Sequence, residues 1–315
     1  MLSVSLIICT RNNPAVLARD ALASLYDSGN LDVAAPKGSH LETIVVDQST
    51  DSTTKEVLDS SPFSRDPSAR YIHMAQKGLS RARNLAIKEA RGDVLAFIDD
   101  DIKVLPGHVA KISALFSEHP DIFAMFGPVQ ADTTVYEEAA SAYWNATIPN
   151  FTPKEAYKIL PGDQAPSYGM GANMAVRREH AVRYFFDPLL GAGARFPSWE
   201  DKDFMLRINC VGTLGVFTEP VVLHTGVRKG AEVKQLNEDS ARGRAAMLMK
   251  FARQRKSLAT IGEAILPADY LREALKNFAK TGRPYGLGRL RPYFEALAAS
   301  LRCPIDQEHG VYFDR

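Results

Sequence analysis

The sequence predicts an α/β protein with one Rossmann-like sheet, helices on both faces of that sheet, and a helical C-terminal extension. Short apolar runs alternate with segments of helical periodicity over about the first 130 residues, as in successive βαβ units. Beyond residue 229 the chain is basic and has apolar residues at helical spacing. A length of 315 residues with 45% hydrophobic residues suits one large domain with an appendage.

The predicted elements follow each other in a regular order. We expect strands at 4–9, 43–46, 71–74, 94–98 and 122–126, with helices starting at Pro14, near 54, at 79 and at Pro106. Asn13 occupies the cap position of the first of these helices. Later in the chain we expect strands at 169–177 and 221–225, and a short helix within 197–210.

Charge is distributed unevenly along the chain. The formal net charge is +1, yet residues 241–302 contain 13 Lys and Arg against 4 Asp and Glu. We therefore predict a globular domain over 1–228, with halves at 1–130 and 131–228, and a basic extension over 229–315. The extension is compatible with packed helices that have a solvated basic face, or with docking on anionic lipid. Its aromatic residues are not interleaved as stacking platforms, which disfavours nucleic-acid binding.

The cysteines and the apolar runs bear on location. Cys9, Cys210 and Cys303 are too few and too widely spaced for a disulfide framework or a metal cluster, as is typical of a reducing cytosol. No run approaches the ~20 apolar residues that span a bilayer, and we interpret residues 1–10 as a core strand rather than a signal peptide. We expect a cytoplasmic protein whose membrane contact, if it has one, is peripheral and at the inner face.

Three consecutive aspartates, Asp99-Asp100-Asp101, directly follow the apolar run at 94–98. Adjacent carboxylates repel each other and attract a hard divalent cation such as Mg²⁺ or Mn²⁺. On an extended backbone Asp99 and Asp101 would point the same way and share one ion. A helix cap or a solvated turn is the alternative interpretation, but the position after a buried strand favours the metal.

A basic turn precedes the helix expected at residue 79. It contains Lys77, Gly78, Arg81 and Arg83. A helix N-terminus with free amides and nearby cations favours an anionic ligand such as a diphosphate. A solvated helix start is the alternative.

Two further motifs contain candidate functional residues. Glu200 and Asp201 offer carboxylates separate from the aspartate triplet, so that one of them could act as a general base, and Trp199 beside them could stack on a sugar ring. An ordinary acidic helix start is the alternative. His224 ends an apolar run and is either a core histidine or a third metal ligand.

Four of these polar clusters follow successive predicted strands. They are Thr10-Arg11-Asn12, Asp47, the Lys77 region and the aspartate triplet. Because open α/β sheets bind ligands at the carboxyl ends of their strands, we expect these clusters to form one site.

Together the motifs resemble family-2 glycosyltransferases of the A-type fold, the fold of nucleotide-diphospho-sugar transferases. Segments 7–12, 45–51, 78–84, 97–101 and 200–201 occur in the order of that family, and the resemblance extends over 4–226. It implies transfer of a sugar from a nucleotide diphosphate donor to a hydroxyl group, with inversion and with Mn²⁺ or Mg²⁺ as cofactor.

The resemblance also implies a role for each matching residue. Those expected to bind the nucleotide sugar are Thr10, Arg11, Asn12, Asp47, Lys77, Gly78, Arg81, Arg83, Asp99 and Asp100. Those expected to bind the metal are Asp101, Asp99 and His224. Asp201 is the expected general base and Glu200 orients the acceptor, which Trp199 and Gly171 are also expected to contact.

Two departures from the family pattern leave the base of the nucleotide open. Gln48 follows Asp47 where the family often has Asp-Gly, and Gln76 stands two residues before Gly78, where an Asn is usual. UDP is the default expectation, with GDP and dTDP as alternatives. The expected acceptor is a glycan or a lipid-linked molecule of cell-surface polysaccharide or glycolipid synthesis.

Two other functions fit this sequence less well. A sugar-phosphate nucleotidyltransferase is disfavoured because the loop at 10–14 contains no glycine. A non-catalytic sugar-nucleotide-binding protein is disfavoured because both acidic clusters are present.

Overall fold

The computed structural model of the protein describes residues 2–27, 41–135, 157–160, 169–255, 267–281 and 287–313. Its strands are β1 (Val4–Thr10), β2 (Leu41–Asp47), β3 (Ala69–His73), β4 (Val94–Asp99), β5 (Ile102–Val104), β6 (Ile122–Phe126), β7 (Val129–Ala131), β8 (Tyr157–Leu160), β9 (Met174–Arg177), β10 (Thr213–Phe217), β11 (Val222–His224), β12 (Ile305–Asp306) and β13 (Val311–Tyr312). Its α-helices are α1 (Pro14–Leu17), α2 (Ala23–Asp27), α3 (Thr53–Ser60), α4 (Leu79–Glu89), α5 (His108–Glu118), α6 (Arg178–Tyr184), α7 (Glu200–Asn209), α8 (Ala231–Arg255), α9 (Ala268–Thr281) and α10 (Leu290–Leu301).

In the described part of the chain the main sheet has the strand order β3-β2-β1-β4-β9-β6-β10-β8. The strands β1, β2, β3 and β4 pair in parallel, and so do β6 and β10. β9 lies antiparallel between β4 and β6, and β8 pairs antiparallel with β10. The predicted α/β class with a mainly parallel sheet is confirmed.

The centre of this sheet is formed by its most continuously apolar segments. Leu6, Ile8, Val45 and Ala96 are buried in one hydrophobic cluster, together with Leu17 of the helix that follows β1. Strands covered on both faces need such continuous apolar sequence. The three strands at 4–10, 41–47 and 94–99 therefore lie within two residues of the predicted bounds.

The register of the parallel strands aligns their carboxyl ends. Thr10 of β1 pairs with Asp47 of β2, Cys9 of β1 pairs with Asp99 of β4, and Asp47 pairs with His73 of β3. The polar residues after the predicted strands thus meet at one edge of the sheet, as the strand order requires.

A second, three-stranded sheet has the order β5-β11-β7. Sequence reasoning missed β5, although the alternation Ile102-Lys103-Val104 is a signal of a half-buried strand. β5 pairs antiparallel with β11 and places Ile102 opposite His224. This small sheet therefore brings the end of β11 to the turn after β4.

Several local expectations need correction. Asn13 makes no capping hydrogen bond, because its side chain binds Asp100 instead. The helix after Pro106 begins at His108, since Gly107 takes a left-handed conformation at the cap. The strand expected at 169–177 is limited to β9, because Gly171–Asn173 forms a 3₁₀ turn.

The chain divides into two compact units. The first comprises Met1–Lys77, Arg81–Phe185 and Phe204–Lys229, and the second comprises Gly78–Ser80, Phe186–Asp203 and Gly230–Arg315. The predicted division at 228/229 and the predicted halves of 1–228 stay predictions. Among the described helices none is long and apolar enough to cross a bilayer.

Candidate functional site

The three aspartates lie at the end of β4 and in the turn that follows it, and they face three different partners. β4 ends at Asp99, and Asp100 and Asp101 form the turn that leads to β5. The extended-backbone argument, by which Asp99 and Asp101 share one ligand, therefore does not apply. We refer to these three residues as the acidic turn.

Asp99 and Asp100 are bound by groups from the first unit. The Nη2 of Arg83 donates to Oδ1 of Asp99 at 3.0 Å. Oδ2 of Asp100 accepts from Oγ1 of Thr10 at 2.6 Å, and its Oδ1 accepts from Nδ2 of Asn13 at 3.1 Å. Burial raises the pKa of Asp100 to about 7 against the effect of the Thr10 hydrogen bond, and the charges of Asp101 and Asp99 add to the rise. Asp100 thus connects the ends of β1 and β4.

Asp101 lies beside the imidazole of His224. Its Oδ1 is 3.6 Å from Nε2 of His224. Burial, followed by the charge of Asp99, raises the pKa of Asp101 to about 7, and burial lowers the pKa of His224 to about 4. His224 is neutral near pH 7, so this contact does not supply the carboxylate with a counter-charge.

Gly226 leaves the space that the Asp101 carboxylate occupies. A Cβ at position 226 would lie 2.0 Å from Oδ2 of Asp101 and 2.7 Å from Cε1 of His224. The Gly226 amide also donates to Nδ1 of His224 at 3.0 Å. That bond favours the tautomer with its proton on Nε2.

The donor set at the acidic turn fits a divalent cation in part. Asp101 is an oxygen donor of the kind that Mn²⁺ and Mg²⁺ prefer, and among the described residues it has no cation within ion-pair distance. His224 could bind a metal through Nε2 only after its proton moved to Nδ1, where the Gly226 amide opposes it. No three His, Cys, Asp or Glu side chains converge as a preformed metal site in the described part of the chain. The set of Asp101, Asp99 and His224 therefore stays a prediction.

Thr225 binds both the backbone of the acidic turn and the side chain of Asp20. Sequence reasoning missed Thr225 and Asp20. Oγ1 of Thr225 donates to Oδ2 of the fully buried Asp20 at 2.5 Å. The Thr225 amide donates to the carbonyl of Asp101 at 3.0 Å. The available signal was one acidic residue, Asp20, within the apolar periodicity of the first helical segment.

The nucleoside side of the predicted site is formed by the ends of β1 and β2. Asp47 is fully buried, its Oδ1 accepts from the Ser49 amide at 2.8 Å, and its Oδ2 accepts from the Tyr71 hydroxyl at 3.0 Å. Oδ1 of Asn12 accepts from the Thr50 amide at 3.0 Å, and Asn12 has a left-handed φ of 52°. Arg11, which precedes it, is exposed.

The two departures from the family pattern are in contact with each other. Nε2 of the buried Gln48 donates to the carbonyl oxygen of Gln76 at 2.5 Å. The backbone N–H of Gln48 donates to the backbone carbonyl of Thr10 at 2.9 Å. Gln48 thus joins β1, β2 and the segment after β3.

The basic residues predicted to face the nucleotide differ in exposure. Lys77 is exposed and Arg81 is half-buried. Arg83 is buried and its guanidinium is paired with Asp99. Gly78 has a φ of 131°, which favours glycine. Gly171 is buried in its 3₁₀ turn, and its predicted acceptor contact stays a prediction.

The predicted catalytic pair lies in the second unit, at the start of α7. Glu200 is buried and Asp201 is half-buried. Trp199 before them has a φ of 68°, a conformation that is costly for a bulky residue and is concentrated at functional sites. Its Nε1 donates to Oγ of Ser240 at 3.0 Å. The turn that presents Asp201 is therefore fixed to α8.

The second unit contains a buried charge cluster of Asp187, Asp203 and Lys250. Its member Asp203 follows Asp201 by two residues. Nζ of Lys250 lies 2.5 Å from Oδ2 of Asp187 and 2.6 Å from Oδ1 of Asp203, and all three side chains are fully buried. The Tyr312 amide also donates to Oδ2 of Asp187 at 2.8 Å. Lys250 belongs to the predicted basic extension, but its side chain is fully buried and lies on no solvated face.

Comparison with known proteins gives a family-level match. The profile of the family described as "Glycosyl transferase family 2" matches residues 5–184. Succinoglycan biosynthesis protein ExoM of Rhizobium meliloti is 24% identical over 231 residues, which cover 72% of this chain and 67% of ExoM. Glucosyl-dolichyl phosphate glucuronosyltransferase of Haloferax volcanii is 30% identical over 98 residues, which cover 31% of this chain and 27% of that protein.

Solved structures share the fold. TarS of S. aureus superposes with a TM-score of 0.61 at 16% identity, covering 95% of this chain and 49% of TarS. Residues 1–349 of TarS in complex with UDP-GlcNAc give 0.59 at 17% identity, covering 95% of this chain and 81% of theirs. Mannosyltransferase PcManGT from Pyrobaculum calidifontis, with GDP-Man and Mn²⁺, gives 0.55 at 16% identity, covering 95% and 75%. The chain spans about half the length of full TarS, and the predicted A-type fold is confirmed.

Proposed function

Because this chain belongs to glycosyl transferase family 2, we propose that it transfers a sugar from a nucleotide diphosphate sugar to a hydroxyl acceptor with inversion. The observation that supports this most is the acidic turn, where Thr10, Asp99, Asp101 and His224 meet at the carboxyl edge of the parallel sheet. Ligands of open α/β sheets bind at this edge.

We assign the donor to this edge. Thr10, Arg11, Asn12 and Asp47 belong to the nucleoside side. Lys77, Gly78 and Arg81 belong to the phosphate side, where the positive end of α4 favours an anion. Arg83 acts through its pair with Asp99, because its guanidinium is buried there.

A divalent cation, Mn²⁺ or Mg²⁺, is part of the proposal. Asp101 would hold it, with Asp99 and His224 as further candidate ligands. When bound, such an ion stabilises negative charge on a departing diphosphate. The Mn²⁺ in the PcManGT structure supports the assignment.

The proton of the acceptor hydroxyl is assigned to Asp201. A carboxylate of Asp201 accepts this proton as the acceptor oxygen attacks the sugar. Asp201 lies in the first turn of α7. Glu200 and Trp199 position the acceptor, since the left-handed turn at Trp199 and its hydrogen bond to Ser240 fix that segment.

The donor proposed by default contains UDP, in line with the UDP-GlcNAc complex of TarS. GDP stays an alternative because PcManGT was solved with GDP-Man, and dTDP is a third. ExoM is a succinoglycan biosynthesis protein, which supports a role in cell-surface polysaccharide synthesis. The relative that acts on glucosyl-dolichyl phosphate supports a lipid-linked acceptor.

Calorimetry with UDP, GDP, dTDP and CMP, each with and without Mn²⁺, tests the proposal. We expect one diphosphate to bind, and to bind at least tenfold more tightly with the metal. Asp101→Asn should abolish the metal effect, whereas Asp121→Asn, an exposed control in the same unit, should retain it. Binding of none of the four nucleotides would contradict the proposal, and a product with retained anomeric configuration by NMR would contradict inversion.

A further inference from the structure

Helix α9 exposes a row of large apolar side chains. Leu271, Leu275 and Phe278 are 37%, 70% and 56% exposed. Their spacing of four and three residues places them on one side of a helix. We call these three residues the apolar row.

The neighbouring side of α9 anchors the helix within the second unit. Tyr270 and Ala274 are buried, and the Tyr270 ring meets the Tyr293 ring edge-on at 5.8 Å between centroids. The guanidiniums of Arg244 and Arg289 lie 5.1 and 5.6 Å from the centre of the Tyr270 ring. The helix is therefore held by one side while the apolar row stays in solvent.

Basic residues accompany the apolar row. Arg272, Lys276 and Lys280 are exposed and follow each other at intervals of four residues. The helix also contains Asp269 and Glu273, both in its first half. From Ala274 to Phe294 the sequence has five Lys and Arg and no Asp or Glu. Along α9, Lys276 and Lys280 therefore lie within two residues of Leu275 and Phe278, respectively, the most exposed members of the apolar row.

We propose that α9 docks on an anionic lipid bilayer, with the apolar row at the acyl boundary and the basic residues at the lipid phosphates. A helix with a polar, basic face and an apolar face lies in the plane of a membrane interface in this way. Anionic lipid attracts each nearby Lys or Arg enough to change binding about fivefold. A second copy of the chain is the poorer occupant, because pairing two such faces brings like charges together. The proposal makes no use of the transfer chemistry and goes beyond the proposed function.

Vesicle co-sedimentation of the full chain tests this docking. We expect recovery with vesicles of phosphatidylcholine plus phosphatidylglycerol, and little with phosphatidylcholine alone. Leu275→Glu/Phe278→Glu should weaken binding at least tenfold. Lys276→Gln/Lys280→Gln should weaken it about 25-fold, if each charge contributes about fivefold. The matched control, Val211→Glu/Leu236→Glu, adds the same charge at two exposed apolar positions outside α9 and should bind nearly as the wild type does.

Three results would overturn the proposal: equal recovery with both vesicle types, equal weakening by the control, or unchanged binding of Leu275→Glu/Phe278→Glu. Loss of a concentration-dependent dimer in that variant, measured by light scattering, would make the apolar row a self-association surface instead. If the variant fails to fold by circular dichroism, Leu275→Ser/Phe278→Ser replaces it. Nucleotide binding is measured separately, so failure of the proposed function leaves the vesicle result interpretable.

Discussion

The acidic turn and the buried charge cluster both contain carboxylates removed from water, but they differ in their counter-charge. In the buried charge cluster, the ammonium of Lys250 lies within 2.6 Å of both Asp187 and Asp203. At the acidic turn, Asp101 faces a neutral imidazole at 3.6 Å. Removing the cation from such a cluster destabilises the fold, because buried carboxylates are left without a counter-charge. A cluster in which one carboxylate has no cation within ion-pair distance among the described residues is suited to receive one from a ligand.

The largest effect on stability should come from Lys250→Met. The change leaves two buried carboxylates without their cation, which costs about 3 to 5 kcal/mol of unfolding free energy. Chemical denaturation measures it, with Lys234→Met as the control on the exposed face of the same helix. A second change, Asp203→Asn, should recover part of the loss. A loss below about 1 kcal/mol would show that the cluster is not structural.

His108 sharpens the comparison because burial lowers the pKa of its imidazole and keeps this group neutral near pH 7. Burial, followed by the charge of Lys111, lowers the pKa of His108 from 6.5 to about 4. Between these values the unfolded chain binds a proton that the folded chain does not, so stability falls as pH falls from 6.5 towards 4. The full loss is about 3 kcal/mol.

Urea unfolding between pH 7 and pH 4 measures this loss. The pH dependence should shrink by about that amount in His108→Gln and stay that of the wild type in Gln235→Ala, an exposed control at a residue that does not titrate. Equal pH dependence of the two variants would contradict the prediction.

Asp101→Asn should act in opposite directions on stability and on activity. Removing a buried charge that has no cation within ion-pair distance in the described part of the chain should raise the unfolding free energy by about 1 kcal/mol, as at many functional sites. Transferase turnover should fall at least about a hundredfold, equivalent to about 2.7 kcal/mol of activation free energy. The measurements are thermal unfolding and product formation, against Asp121→Asn. Loss of stability together with full activity would reverse the assignment of the acidic turn.

Gly226→Ala tests whether the position of Asp101 matters. A Cβ 2.0 Å from Oδ2 of Asp101 must displace the carboxylate, and such overpacking costs about 1 to 3 kcal/mol. We expect weaker Mn²⁺-dependent nucleotide binding by calorimetry. Gly288→Ala, with no heavy atom within 4 Å of the added carbon, is the control. If nucleotide binding by Gly226→Ala depends on Mn²⁺ as it does in the wild type, Asp101 does not hold the metal.

The smallest effect should come from Gln48→Ala, which removes a neutral hydrogen bond to the Gln76 carbonyl. Bonds of this kind contribute about 1 kcal/mol. Thermal unfolding compares it with Gln235→Ala, an exposed glutamine of α8. A loss as large as that of Lys250→Met would show that neutral and charged buried contacts do not differ here.

Local sequence patterns predicted the strands, whereas contacts between residues far apart in the sequence determine the geometry of the site. β1, β2 and β4 were predictable because a strand covered on both faces requires continuous apolar sequence. The contact of Thr225 with Asp20 joins residues 205 positions apart, and that of Lys250 with Asp187 joins residues 63 apart. No local period signals such pairs, because they form only when separate elements pack. The same holds for Asn13, whose side chain binds Asp100 and makes no hydrogen bond to the start of the helix.

The order of Asp187, Asp203, Lys250 and Tyr312 along the chain has a consequence for synthesis on the ribosome. The two carboxylates emerge first, the ammonium follows 47 residues after Asp203, and the amide of Tyr312 comes 125 residues after Asp187. By contrast, β1 to β4 are complete once the first 99 residues have emerged. The first strands can therefore assemble while translation continues, whereas the second unit must keep an unfinished polar interior until residue 312 arrives.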